Sequence, residues 1–127
     1  MLTDFSVLKG LILESIDGAH KESGRIVFRT SCGRTFVMSH YQDCCEVVSL
    51  EDVIGDINDL IGTPLLMAEK AVDDGEINTG IDTWGSTTWT FYKLATIRGY
   101  VTLRWLGQSN GYYSESVEFE EVIKHEA

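Results

Sequence analysis

Residues 49–62 read SLEDVIGDINDLIG, and the way this stretch folds decides the class of the domain. At 100° per residue Val53, Ile57, Leu60 and Ile61 share one stripe, and Asp52, Asp56 and Asp59 line the opposite side. Ser49 is placed as an N-cap, with Asp52 three residues on as a variant of the capping box. Gly62 is placed to end the element, and Pro64, the only proline, blocks its continuation. The pattern predicts an amphipathic helix over residues 50–61 with an acidic outer face.

Outward from this element the chain is β-prone. Leu8–Ile16 closes at the turn pair Asp17-Gly18 and reads as a first strand. Arg25–Thr30 and Arg34–Tyr41, joined through Ser31-Cys32-Gly33, form a hairpin with Phe36, Met38 and His40 on one face. Beyond the helix, Leu65–Val72, Thr87–Ile97, Tyr100–Leu106 and Ser114–Ile123 complete the set, and Asp73–Ser86 is a long polar loop. A two-residue turn at Arg98-Gly99 pairs Leu94 with Leu103 and Tyr92 with Trp105, and brings Lys93 opposite Arg104. That like-charge pair calls for acids on the neighbouring strands or for a bound anion. A hairpin at Asn110-Gly111 mixes faces unless the register changes, which points to a longer loop or a bulge near Gly107. The expected architecture is α+β: a mainly antiparallel sheet of six or seven strands with one helix packed on a face.

At 127 residues the chain fits a single domain. No apolar run approaches the roughly 20 residues that span a bilayer. Met1–Gly10 has no basic region ahead of an apolar stretch, and the odd set Cys32, Cys44 and Cys45 is a poor disulfide framework. A cytoplasmic protein is expected. The net charge of −10 is concentrated in Asp43–Asp82, which holds eleven acids and one base, Lys70. Such a segment repels nucleic acid and attracts basic partners, although most charge runs only keep a face solvated.

Three groups of residues carry candidate chemistry. The acids Glu51, Asp52, Asp56, Asp59, Asp73, Asp74 and Glu76 form a candidate surface for a partner protein with a basic face. The aromatics Trp84, Trp89, Phe91, Tyr92, Trp105, Tyr112 and Tyr113, interleaved with Lys93, Arg98 and Arg104, combine stacking planes and cations, as nucleotide binders do. Of these, Trp84, Trp89, Tyr112, Tyr113, Lys93 and Arg104 form the candidate ligand site. Aromatics on strands more often serve as core or cross-strand partners. The cluster His40-Tyr41-Gln42-Asp43-Cys44-Cys45-Glu46 holds metal-ligand types, His40, Asp43 and Cys45 among them, but neighbouring residues of an extended chain face opposite ways. A buried strand-to-helix junction with a hydrogen-bonded histidine accounts for it better. The sequence contains no phosphate-binding glycine loop, no Gly-x-Ser-x-Gly and no His-Glu-x-x-His, so neither an enzyme nor a cofactor is expected. Edge strands such as Leu8–Ile16 or Ser114–Ile123 leave a homo-oligomer open, with Glu115, Glu118, Glu120 and Glu121 opposing self-pairing of the latter.

Two groups of strings occur together. One is SHYQDCCE at residues 39–46 followed by EDVIGD at 51–56. The other is TWTFYKLAT at 88–96, then Arg104-Trp105 and SNGYYS at 109–114. They resemble a family of small phage and prophage proteins of uncharacterised function, over roughly residues 8 to 119. The resemblance implies a phage accessory role and brings no catalytic or binding residue with it. By analogy with small acidic phage proteins, the leading expectation is a non-enzymatic inhibitor of a host protein. The rival is a nucleotide-sequestering protein, and the third is a small metal-binding protein.

Overall fold

The computed structural model describes residues 2–73, 86–109 and 114–123, and these form an all-β domain. The strands are β1 (Leu13–Asp17), β2 (Arg25–Thr30), β3 (Thr35–Ser39), β4 (Val47–Ile54), β5 (Met67–Asp73), β6 (Ser86–Thr96), β7 (Gly99–Ser109) and β8 (Glu118–Val122). Two 3-10 turns, Phe5–Leu8 and Ile57–Leu60, are the only helical elements among the described residues. The α+β expectation is therefore wrong.

The predicted helix over residues 50–61 is divided between three structures. Its first half is the end of β4, where Val48 and Leu50 are buried between less buried neighbours, a period of two. Gly55 then turns the chain at φ 110°, a conformation closed to a helix interior. The side chain of Asp56 accepts a hydrogen bond from Asn58 N at 2.9 Å and caps the turn Ile57–Leu60. The apolar stripe still turns inward: Leu60 is buried, and Val53, Ile57 and Ile61 pack against the core. Inward-facing residues at helical spacing were real, but strand, glycine turn and 3-10 turn satisfy them together. Ser49 caps nothing; it lies in β4 opposite Leu106.

The strands form two antiparallel four-stranded sheets, ordered β1-β2-β3-β8 and β4-β7-β6-β5. One core lies between them, with Phe28, Phe36, Met38 and Phe119 from the first sheet meeting Leu50, Tyr92, Leu94, Leu103 and Trp105 from the second. Trp105 is fully buried, and its indole Nε1–H is directed at Met38 Sδ, 3.1 Å away. Residues 61–65 close one end, with Gly62 N donating to Leu13 O and Gly10 N to Leu65 O.

The β2–β3 hairpin matches the expectation, with Phe28 opposite Phe36 and Ile26 opposite Met38. The first strand is shorter than expected, because Phe5–Leu8 forms a 3-10 turn capped by Asp4. The β6–β7 turn is Ile97-Arg98, one position before the expected pair. Tyr92 therefore faces Leu103 and Leu94 faces Val101. The slip is two residues in register, so every side chain keeps its predicted face. The expected Ser109–Ser114 hairpin within one sheet does not form. β8 pairs with β3 in the other sheet, and the segment 114–117 passes across β7 at Gly107, which holds no bulge. Arg34 fastens this strand, donating to both carboxylate oxygens of Glu121 at 2.8 and 2.9 Å.

Candidate functional site

The outer face of the second sheet is built by alternation along its four strands. On β6, Thr90, Tyr92, Leu94 and Thr96 point to the core, so Trp89, Phe91 and Lys93 point outward. On β7, Val101, Leu103 and Trp105 point in, so Thr102, Arg104 and Leu106 point out. Pairing then sets Arg104 between Asp52 and Phe91, and Leu106 between Ser49 and Trp89. The Arg104 guanidinium stands 4.8 Å from the Trp89 ring centre, and Trp89 stacks on Phe91 at 6.3 Å with planes 16° apart. These three side chains form one aromatic and cationic cluster, partly exposed, on an external sheet face.

The charge problem foreseen for β6 and β7 is solved by the adjacent strands. Lys93 lies opposite Thr102 and not Arg104, and its other neighbour is Glu69 of β5. Arg104 has Asp52 at 3.6 Å. Both cations thus have acids beside them in the ladder.

The candidate acids do not share one helix face. Asp52 contacts Arg104 and accepts from Val53 N at 2.8 Å, and Glu51 occupies a bulge between Leu50 and Asp52. Asp56 is the cap of the 3-10 turn, and Asp59 offers its backbone carbonyl to Thr96 Oγ1. Asp73 ends β5 opposite Trp89. Asp74, Glu76, Trp84, Tyr112 and Tyr113 lie outside the described residues. The structure therefore unites Trp89, Phe91, Lys93, Arg104 and Asp52, and adds Leu106. Leu106 was missed because an isolated outward leucine carries no pattern of its own.

The His40–Glu46 cluster forms a second centre, a closed turn between β3 and β4. Glu46 is buried, and its carboxylate accepts from Asp43 N at 2.7 Å and Cys44 N at 2.9 Å. His40 Nε2 lies 2.7 Å from Glu46 Oε2, and Nδ1 lies 2.6 Å from Ser116 O. Both ring nitrogens lie within hydrogen-bond distance of an oxygen, so a metal at His40 would have to displace Glu46 or Ser116. No group of three potential metal ligands occurs among the described residues. The expected strand-to-helix junction is a strand-to-strand turn; its histidine is hydrogen-bonded as expected, but its cysteines are exposed and joined as Cys44–Cys45. The role of Glu46 was missed. Its only signal was a His and a Glu six residues apart across a turn.

Burial alone would raise the Glu46 carboxyl, but the two amides and the His40 ring outweigh it and hold the group down at about 2. Because its folded value lies below the ordinary 4.5, its contribution to stability is complete above pH 4.5 and is lost as pH falls towards 2. Acid titrations of Glu46→Gln and wild type followed by circular dichroism should therefore be separated above pH 4.5 and converge below pH 2. Equal separation at all pH values would assign the effect to packing.

Fold and site together define a β-sandwich domain with an aromatic and cationic sheet face. Over residues 7–119 the chain matches the family described as a domain of unknown function (DUF7448), and it belongs to that family. No curated protein and no solved structure shows a significant match. No helix among the described residues is long and apolar enough to cross a membrane.

Proposed function

We propose that the protein is a non-catalytic binding domain that engages a partner protein through the outer face of its second sheet. The observation behind this reading is the cluster of Arg104, Trp89 and Phe91, held on an external face and not used by the core. Tryptophan and arginine dominate the energetically important positions of protein interfaces. Asp52, Glu51 and Glu69 supply an acidic surround, which favours a partner with a basic rim and faster encounter at low salt. The resemblance to phage and prophage proteins supplies the setting of the proposal, an inhibitor acting on a host protein. Nucleotide recognition fits the geometry less well. A base stacked on this open sheet has a wall on one side only, and Asp52 competes with phosphate for Arg104.

The test is comparative capture of a partner by wild type and by the Trp89→Ala and Arg104→Ala variants, followed by titration of the purified partner. Each substitution is expected to weaken binding by about tenfold or more, corresponding to at least ~1.4 kcal/mol. Trp89 lies outside the core cluster, so the fold survives its removal. Undiminished binding by both variants would refute this surface. A thermal shift with a nucleotide panel that vanishes in Trp89→Ala would favour the rival reading.

A further inference from the structure

Among the described residues β5 is the terminal strand of the second sheet and pairs with β6 on one side only. From Glu69 to Val72 no backbone hydrogen bond joins its other side to any described residue. Every residue from Glu69 to Asp73 is exposed, and Val72 retains 56% of its surface. The start of the strand differs, since the turn Phe5–Leu8 lies beside it. Among the described residues an open row of N–H and C=O groups therefore begins where that cover ends, and such a row is a template for another strand.

A groove runs inward from this edge towards the segment that leads into β8. Its larger part, about 550 Å³, has an apolar floor that includes Phe5, Ala68, Tyr92 and Val117. Lys70 and Val117 also line a second hollow of about 240 Å³. Around the larger part stand the carboxylates of Asp4 and Glu118 against the one ammonium of Lys70, which lies over the Tyr92 ring, while Glu69 lies opposite outward Lys93.

We infer that this edge accepts an extended segment of a partner protein as a fifth strand of the second sheet. Side chains on one face of that segment enter the groove, so they are apolar. Those on the other face lie beside Glu69, so they are basic. A second copy of this chain meets like charges in the registers centred within Glu69–Ala71. Antiparallel self-pairing that keeps the sheet faces aligned, centred on Glu69, Lys70 or Ala71, sets Glu69 on Glu69, Lys70 on Lys70, or Glu69 on Asp73. Each of these opposes like charges directly across a ladder. A basic and apolar alternating strand removes the conflict and adds main-chain hydrogen bonds, the usual basis of recognition by strand addition. The inference rests on the reading of the protein as a binding domain but uses the edge of β5, which shares only Glu69 with the Trp89 face.

The experiment uses the full-length chain, labelled with ¹⁵N, and a capped eight-residue peptide of alternating lysine and valine. The expected result is new amide-exchange protection within Glu69–Val72, with affinity on the order of tenfold above that of the glutamate–valine peptide. Glu69→Lys should erase that preference, and N-methylation of alternate peptide amides should abolish binding. Trp89→Ala should leave all of this unchanged. Unaltered exchange at Glu69–Val72, or equal binding of the N-methylated peptide, would overturn the inference. So would a dimer of the free protein that already protects these amides. Loss of peptide binding in Trp89→Ala would move the peptide to the outer face, refuting strand addition while retaining the proposed function.

Discussion

Replacing Gly55 with alanine is expected to lower the stability of the domain by about 2–4 kcal/mol. Two effects add. The residue sits at φ 110°, where a side chain is strained whatever space surrounds it. A Cβ there would also lie 2.4 Å from Tyr100 O and 3.2 Å from Val101 Cα, backbone atoms of a central strand that cannot swing aside. The sign is what makes the experiment informative. Inside a helix over residues 50–61, the same substitution would stabilise the protein by about 1 kcal/mol, because glycine is a poor helix former. Equilibrium urea denaturation of wild type and Gly55→Ala therefore separates the two folds by direction as well as size. A gain in stability would restore the helix.

The two folds compete because residues 53–61 satisfy both patterns in part. Val53, Ile57, Leu60 and Ile61 do turn towards the core, so a search for 3.6-residue spacing finds them. Against the helix stood Gly55 in its middle and the β-branched Val53, Ile54 and Ile57, all weak helix formers. Local propensity pointed to a strand that breaks, whereas periodicity pointed to a helix. The tertiary structure sided with propensity because β4 has β7 to pair with along its length. In Arg25–Thr30 and Thr87–Ile97 the strands were legible from β-prone residue type, and the Tyr92 and Leu94 face from hairpin register. Yet β2 buries Ile26, Val27 and Phe28 in succession, and β6 turns Trp89 and Phe91 outward. The exact turn was not legible. A slip of two residues at Ile97-Arg98 changes every partner and no face.

The site was legible to the same depth. Lys93 and Arg104 were legible as cations on the face away from the core, which called for acids or a bound anion beside them, whereas Trp89 was one of several strand aromatics whose side was left open. Which acids those are depends on strand order, which no local pattern encodes. Asp52 and Glu69 come from strands on opposite sides of the β6–β7 pair. The union of His40 with Glu46 was hidden for a related reason. It is made by a turn that folds back on itself, and by Ser116 from a segment 76 residues away.

Gly107→Val tests the other topological choice, the passage of β8 out of the second sheet. Valine is a better strand former than glycine, so in a plain hairpin strand the change would be neutral or stabilising. Here a Cβ at position 107 would meet Glu115 Cβ at 2.7 Å, Glu115 O at 2.8 Å and Val48 Cγ2 at 3.3 Å. The crossing segment cannot easily retreat. The carboxylate of buried Glu115 is anchored by the hydroxyl of Thr88 at 2.7 Å and by that of Ser109. Overpacking at such a point costs about 3 kcal/mol, and Gly107→Ala should lose a smaller part of this. Measured by denaturation, a graded loss from glycine to alanine to valine places segment 114–117 against β7 and β8 in the first sheet. A gain for valine would mean that the chain returns along the second sheet, leaving β3 as the partnerless edge of the first sheet.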